Sequence, residues 1–321
     1  MSTQKETRVL PYGPEAIAEA ARLIRAGEVV AMPTETVYGL AADATNGAAV
    51  ARIYAAKGRP DFNPLIVHVP DLAAAERIGV LDETARRLAD AFWPGPLTLV
   101  VPLRPGSGIA PQVTAGLATI ALRAPAHPAM RDLLAATGRP LAAPSANASG
   151  AISPTSAAHV LRSLGGRIPL VVDAGATERG LESTIARVDE AGVSVLRPGP
   201  ISAEQIASAC GKAPVPASAS GEEIIQAPGM LASHYAPSKP VRLDATEAEA
   251  DEWLIGFGGV TGDESLSASG DLGEAAANLF AALHRADASA RPRIAVAPVP
   301  EEGIGAAIND RLRRAAAPRT S

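Results

Sequence analysis

Lysine is almost missing from a chain that is otherwise well supplied with cations. Of its 29 Lys plus Arg residues, only Lys5, Lys57, Lys212 and Lys239 are lysine. A single cysteine, Cys210, excludes a disulfide framework and a cysteine-based zinc site. Aromatic residues are 3% of the chain against 47% hydrophobic, so the core must be aliphatic and alanine-rich. No apolar run approaches the ~20 residues of a membrane span. The amino-terminal MSTQKETRVL is polar and is no signal peptide. Together these features predict a soluble, cytoplasmic globular protein with no membrane partner and no zinc or organic cofactor.

A basic surface is lacking as well. Residues 241–321 carry 13 acidic and 8 basic side chains out of 34 and 29 overall, so residues 1–240 are neutral. Neither part has the basic footprint of a stand-alone nucleic-acid binder, and no stable tRNA binding is expected.

What is present reads as α/β. Residues 1–210 form one unit, with helices expected at Ala16–Ala26, Gly47–Ala56, Asp82–Ala91, Pro128–Thr137, Thr155–Leu164 and Ala203–Cys210. Strands are expected at Val29–Pro33, Leu65–Val69, Leu97–Pro102, Thr119–Leu122, Leu141–Ala143, Leu170–Asp173, Thr184–Val188 and Ser194–Leu196. The two kinds do not alternate strictly, so a twisted mixed sheet is expected. Residues 211–240 are rich in Ala, Pro, Ser and Gly and read as a linker, long enough to fold back over the first unit. Residues 241–321 read as a small α/β, Rossmann-like domain, with strands at Val241–Leu243, Trp253–Phe257 and Ile294–Val296 and helices at Glu274–Ala286 and Ile304–Ala315.

Lys57 is the one lysine inside a structured element. Val50, Ile53 and Tyr54 mark an apolar stripe, and Lys57, seven residues after Val50, ends it facing the core. A lysine there is either a cation favourable at a helix end or a compact charge held for phosphate. Two polar patches follow buried strands: Pro33-Thr34-Glu35-Thr36-Val37-Tyr38-Gly39 and Pro144-Ser145-Ala146-Asn147-Ala148-Ser149-Gly150. Strand carboxyl ends are where α/β sheets bind ligands, although these are also turn-forming residues. His68 lies in a strand, as a core residue or a ligand contact. Arg123 and Arg197 end two further strands. With Lys57 and Arg59 they make four cations lacking local carboxylates, which points to an anionic ligand.

The segments PTETVYGLAADA, KGRPDFNPLIVH, WPGPLTLV, ALRAPAHP, APSANASG, LESTIARV, VLRPG and PGMLASHYAP occur in this order. In them the chain resembles the threonylcarbamoyl-AMP synthase family, of YrdC-like fold, in its long form with a C-terminal extension. The resemblance covers residues 12–240 closely and the remainder loosely. It implies an enzyme, a nucleotidyltransferase, that joins L-threonine, bicarbonate and ATP into threonylcarbamoyl-adenylate and pyrophosphate. A separate tRNA threonylcarbamoyl-transferase complex would then use the adenylate.

The same resemblance assigns residues. Lys57, Arg59, Ser145 and Asn147 carry the family's phosphate and bicarbonate signature. Thr36, His68, Arg123, the backbone at Ala143 and Ser183 would contact threonine. Arg59, Asn63, Thr119, Ser145, Ser153, Arg197 and Tyr235 would contact ATP, with Mg2+ accompanying it through ligands the sequence does not reveal. Met230, His234 and Tyr235 would act as a lid that excludes water. Two other readings are a carbamoyl-adenylate module, whose zinc fingers one cysteine cannot supply, and an RNA-binding or ribosome-assembly protein, which the charge disfavours. Monomer and dimer are both open.

Overall fold

The computed structural model describes residues 6–215, 228 and 234–318. The chain opens with β1 (Arg8–Pro11), α1 (Pro14–Arg25), β2 (Val30–Met32), β3 (Gly39–Asp43), α2 (Gly47–Lys57) and β4 (Ile66–His68). It continues through α3 (Leu72–Ile78), α4 (Glu83–Phe92), β5 (Leu97–Pro102), α5 (Pro111–Thr114), β6 (Thr119–Arg123), α6 (Pro128–Thr137) and β7 (Leu141–Ala142). The first unit ends with α7 (Ala157–Leu164), β8 (Leu170–Asp173), β9 (Thr184–Asp189), β10 (Gly192–Arg197) and α8 (Ala203–Cys210). Beyond it lie β11 (Val241–Arg242), β12 (Glu252–Gly256), β13 (Glu264–Ser265), α9 (Leu272–Ala288), β14 (Arg293–Val296) and α10 (Gly305–Ala316).

Strands β1–β10 form a ten-stranded sheet in the order β1-β8-β2-β3-β7-β4-β6-β5-β9-β10. It is mixed, as expected: β4 pairs parallel with β6 but antiparallel with β7, and β5 pairs antiparallel with β6 but parallel with β9. Strands β11–β14 form a separate, all-parallel sheet in the order β11-β14-β12-β13.

Alternation along the strands sorts the faces. Val67, Leu99, Leu122 and Ala186 point into the main core, against α2, α4 and α7. At the β1 end the opposite face is filled by α1 and α6, through Ile17, Ile24, Met130 and Leu133 on Val30, Met32 and Leu170. At the β10 end the apolar cluster on that opposite face is small: Ile66, Val100, Ala121 and Ile185, with Leu196. The functional side chains gather at the ends of these strands.

The second sheet packs with α9 and α10 around Leu279, Phe280, Leu283, Ile294 and Ile308, and this core takes in Val37, Ile152, Leu181 and Tyr235 from the preceding chain. At Gly180 the two parts approach closely. Its φ is +68°, and a Cβ there would stand 2.4 Å from the carbonyl oxygen of Ala276 in α9, so only glycine fits.

Sequence reasoning missed β1, β3, α3, α5 and β13. Strand β3 (GLAAD) is wholly buried yet has no β-branched residue. Glycine and alanine carry little strand preference.

Candidate active site

Loops at strand ends converge on one small cavity of about 40 Å³. Thr34, Thr36 and Val37 come from the loop after β2, Ala143, Pro144 and Ser145 from that after β7, and Glu182 and Ser183 from the turn before β9. His68, Arg123 and Arg197 close β4, β6 and β10, Arg59 follows α2, and Pro228, His234 and Tyr235 arrive from the linker. The register explains part of the convergence: His68 sits directly opposite Arg123 across β4 and β6.

Each loop is fixed by its own hydrogen bonds. Thr34 Oγ1 donates to the Val37 carbonyl and accepts the Val37 amide, closing the PTET turn. The amide of Ala146 donates to the Tyr38 carbonyl at 2.7 Å, tying the two polar patches together. Helix α2 starts at Asn46, whose side chain caps Ala48 and Ala49, and ends at Gly58 in the left-handed conformation. Lys57, 3% exposed, therefore points inward, and its Nζ donates to the carbonyls of Ser145 (2.6 Å) and Asn147 (2.5 Å).

The electrostatics are unusual. Lys57 bonds only to carbonyls. Arg59 donates to the Asn63 backbone and side chain and to the Pro64 carbonyl. Arg197 donates to Ser183 and to the Pro228 carbonyl. These three buried cations have no carboxylate partner among the described residues. Burial, then the charge of Arg59, pushes the Lys57 ammonium well below its ordinary value. Burial brings Arg59 down to about 10 and lowers Arg197 as well. Burying charge without a counter-ion is costly, and an anionic ligand would relieve that cost.

Arg123 departs from the expectation of four cations without carboxylates. Its Nη2 donates to Glu35 at 2.6 Å, its Nη1 to Thr36 Oγ1 at 3.0 Å and its Nε to the Gly95 carbonyl. The fork is thus already engaged, and Glu35, inside the PTET patch itself, is its partner. His68, 2% exposed, is pushed down to about 3 by burial and by Arg123. It is neutral at pH 7, with Nδ1 lacking a hydrogen-bond partner.

Of the residues singled out from sequence, Thr36, Arg59, His68, Arg123, Ala143, Ser145, Ser183, Arg197, His234 and Tyr235 line the cavity. Lys57, Asn63 and Ser153 stand one contact behind it, bonded respectively to Ser145, Arg59 and Glu182. Asn147 also lies behind the lining, its Oδ1 buried and unpartnered. Thr119 is not brought in: it begins β6, opposite Pro102, at the far end of the strand from Arg123. Met230 lies outside the described residues.

Sequence reasoning overlooked Glu35, Glu182 and Arg311. The first two lie within quoted motif segments and could have been found by asking which acids share a loop with the site. Arg311 sits in the run NDRLRRAA, which reads as an ordinary amphipathic helix. In the structure Arg311 is fully buried and donates to Glu182 at 2.9 Å and to Asp310 at 2.6 Å.

A cation-lined recess at strand ends, backed by hydroxyl-bearing loops and covered by a returning segment, marks a protein that binds an anionic substrate on a YrdC-like sheet. Comparison with known proteins gives the family. The Sua5–YciO–YrdC family model, described as telomere recombination, matches residues 22–199, and the model for the threonylcarbamoyl-AMP synthase C-terminal domain matches residues 201–317. The chain belongs to the threonylcarbamoyl-AMP synthase family. It is 42% identical to threonylcarbamoyl-AMP synthase of Bacillus subtilis, covering 94% of this chain and 93% of that one. It is 41% identical to the Pyrococcus abyssi enzyme of the same name, covering 92% of each. The crystal structure of Pyrococcus abyssi Sua5 complexed with L-threonine superposes with a TM-score of 0.87 at 38% identity, covering 96% of both chains. No helix among the described residues is long and apolar enough to cross a membrane.

Proposed function

We propose that this protein is an L-threonylcarbamoyladenylate synthase. It converts L-threonine, bicarbonate and ATP into threonylcarbamoyl-AMP and pyrophosphate, the first step of tRNA threonylcarbamoyladenosine formation. The carrying observation is that buried Arg59 and Arg197 line one cavity, with buried Lys57 one contact behind it through Ser145, all three without carboxylate partners among the described residues. ATP brings about four negative charges, and its leaving pyrophosphate gains more, which is what such a set stabilises.

On this reading residues 1–210 are the catalytic domain, 211–240 the linker and lid, and 241–321 the C-terminal domain. Threonine sits by Thr36, His68, Arg123, Ala143 and Ser183. Neutral His68 offers a hydrogen bond without adding charge. Arg123, held by Glu35, meets the amino-acid carboxylate as a shared rather than a free cation. ATP lies along Arg59, Ser145, Arg197 and Tyr235, with Asn63 and Ser153 behind. Mg2+ entering with ATP would neutralise phosphate charge, with the phosphates and water as its main ligands, since no cluster of three acidic, histidine or cysteine side chains among the described residues could hold it.

The threonine amine condenses with bicarbonate, expelling one water, to give a carbamate, and a carbamate oxygen then displaces pyrophosphate from the α-phosphorus. Lys57 and Arg59 face the departing charge. Glu35 and Glu182 are both committed to arginines, so catalysis rests on positioning and charge stabilisation rather than a free general base. His234 and Tyr235 shield the carbamate and the adenylate from water. The product passes to a tRNA threonylcarbamoyl-transferase complex.

The test is pyrophosphate release with each substrate omitted in turn. Release should require ATP, threonine and bicarbonate together. Release that ignores threonine or bicarbonate would rule the reading out.

A further inference from the structure

We infer that Arg311 is a positioning residue for the active site, and that through it the C-terminal domain latches the linker over bound nucleotide. The inference rests on the proposed function for its nucleotide but on geometry for the latch.

Arg311 lies in α10, in the second domain, yet is fully buried. Its Nε donates to Glu182 Oε2 at 2.9 Å. The other carboxylate oxygen of Glu182 accepts the Ser153 hydroxyl. Glu182 immediately precedes Ser183, whose carbonyl holds Arg197 and whose hydroxyl meets Thr98 Oγ1 at 2.7 Å. One guanidinium from outside the catalytic domain thus anchors the turn that seats Arg197.

The same side chain reaches the linker. Its guanidinium carbon lies 5.2 Å from the centre of the Tyr235 ring, within cation–π range. The Tyr235 ring also packs on Phe280 of α9, with centroids 5.6 Å apart. A further contact comes from α10: the His234 amide donates to the Arg314 carbonyl at 3.3 Å. On the other side, the Ala236 amide donates to the Gly150 carbonyl in the Ser-Asn loop. Residues 234–236 are therefore pinned between α10 and the catalytic loop. Tyr235 holds φ at +61°, a conformation that a non-glycine residue keeps only under external constraint. Asp310 braces Arg311 from behind, bonding Arg311 at 2.6 Å and Arg314 at 3.0 Å.

A merely structural arginine would affect melting and leave substrate handling alone. Arg311 should do the reverse when its charge is kept but its fork is lost. The full-length Arg311→Lys variant is expected to raise the KM for ATP about tenfold while kcat changes less. It should also raise the AMP formed per threonylcarbamoyl-AMP, because an unlatched linker admits water. Amide exchange at residues 234–236, measured without substrate, should accelerate at least tenfold. If Arg311→Lys does not fold, the charge-balanced pair Arg311→Met with Glu182→Gln takes its place and should show the same accelerated exchange. Unchanged exchange at 234–236 in the folded variant, together with an unchanged KM for ATP, overturns the inference. Failure of the unsubstituted enzyme to release pyrophosphate would instead overturn the proposed function, leaving the exchange result to decide the latch.

Discussion

Lys57 Nζ holds two backbone carbonyls of the Ser-Asn loop, Ser145 at 2.6 Å and Asn147 at 2.5 Å. An ammonium has three donors, so Lys57 shapes this loop and keeps one donor for a ligand. Lys57→Ala should therefore lower the rate of pyrophosphate release by about 100-fold or more, the scale of losing one preorganised donor. Its melting temperature should stay within a few degrees of the parent, since a buried, unpaired cation is removed along with its bonds. Lys57→Arg should not rescue the rate, because a planar fork cannot replace a point charge in that space. Steady-state rates and thermal melts check this, and near-normal turnover by Lys57→Ala would sink the role.

The depressed Lys57 ammonium gives a proton-linkage prediction. In the free enzyme burial and Arg59 favour the neutral amine. ATP phosphates would restore the ammonium, so ATP binding should take up protons at pH values between the free and bound values. The stability sign follows: the unfolded chain keeps its lysine proton to higher pH, so the penalty on the folded state is full at low pH. It lifts as pH rises through the folded value toward the ordinary 10.5. Calorimetric titration of ATP in buffers of different ionisation enthalpy measures the uptake; proton release, or none in Lys57's window, would contradict it.

The Glu35–Arg123 pair should be structural as well as functional. Burial pushes the Glu35 carboxyl up, but Arg123 and two backbone amides outweigh it and leave it below the ordinary value. A carboxyl held down stabilises the fold above its unfolded value, and that stability goes as pH falls through the folded value. Glu35→Gln would leave Arg123 buried without its counter-ion. It should cost about 3–5 kcal/mol, read from urea unfolding at pH 7, and should flatten the acid limb of stability against pH. A loss below about 1 kcal/mol would show that the pair contributes little.

His68 should be silent in the pH dependence of the rate. It stays neutral until about pH 3, so no ionisation near its ordinary 6.5 belongs to it. His68→Gln should raise the KM for threonine while leaving the shape of the pH–rate profile between pH 6 and 8 unchanged. A vanished inflection in the variant would assign that ionisation to His68 after all.

Much of this site was legible because motif and strand end coincide. Leu65–Val69 and Thr119–Leu122 are short, nearly continuous apolar runs, and the cations and histidine at their ends needed only register to be brought together. Strand β3 was not legible, because Gly39, Ala41 and Ala42 pack by smallness rather than by shape. Glu35 was overlooked because an acid inside a turn motif looks solvated until the chain folds an arginine 88 residues away onto it. Arg311 carried no signal at all. An arginine in an amphipathic helix is ordinary, and only the docking of two domains makes it the partner of Glu182.

That docking can be broken without touching the site. Gly180 holds φ at +68°, and a Cβ there would meet the α9 backbone at 2.4–2.6 Å, at Ala276 and Ala277. Backbone cannot swing aside as a flexible side chain can. Gly180→Ala should therefore push α9 away from the Leu181–Ser183 turn and pull Val37, Ile152 and Leu181 of the first unit out of the second core. The expected result is a broadened or two-step urea transition, with ATP affinity reduced about tenfold or more. The proposed threonine contacts His68 and Arg123 should be spared, because they face each other across β4 and β6 and Arg123 is held by Glu35 and Thr36 rather than by α9. Threonine binding measured calorimetrically should then survive in Gly180→Ala where ATP binding does not. Equal loss of both would mean that the second domain supports the whole recess, not only its nucleotide side.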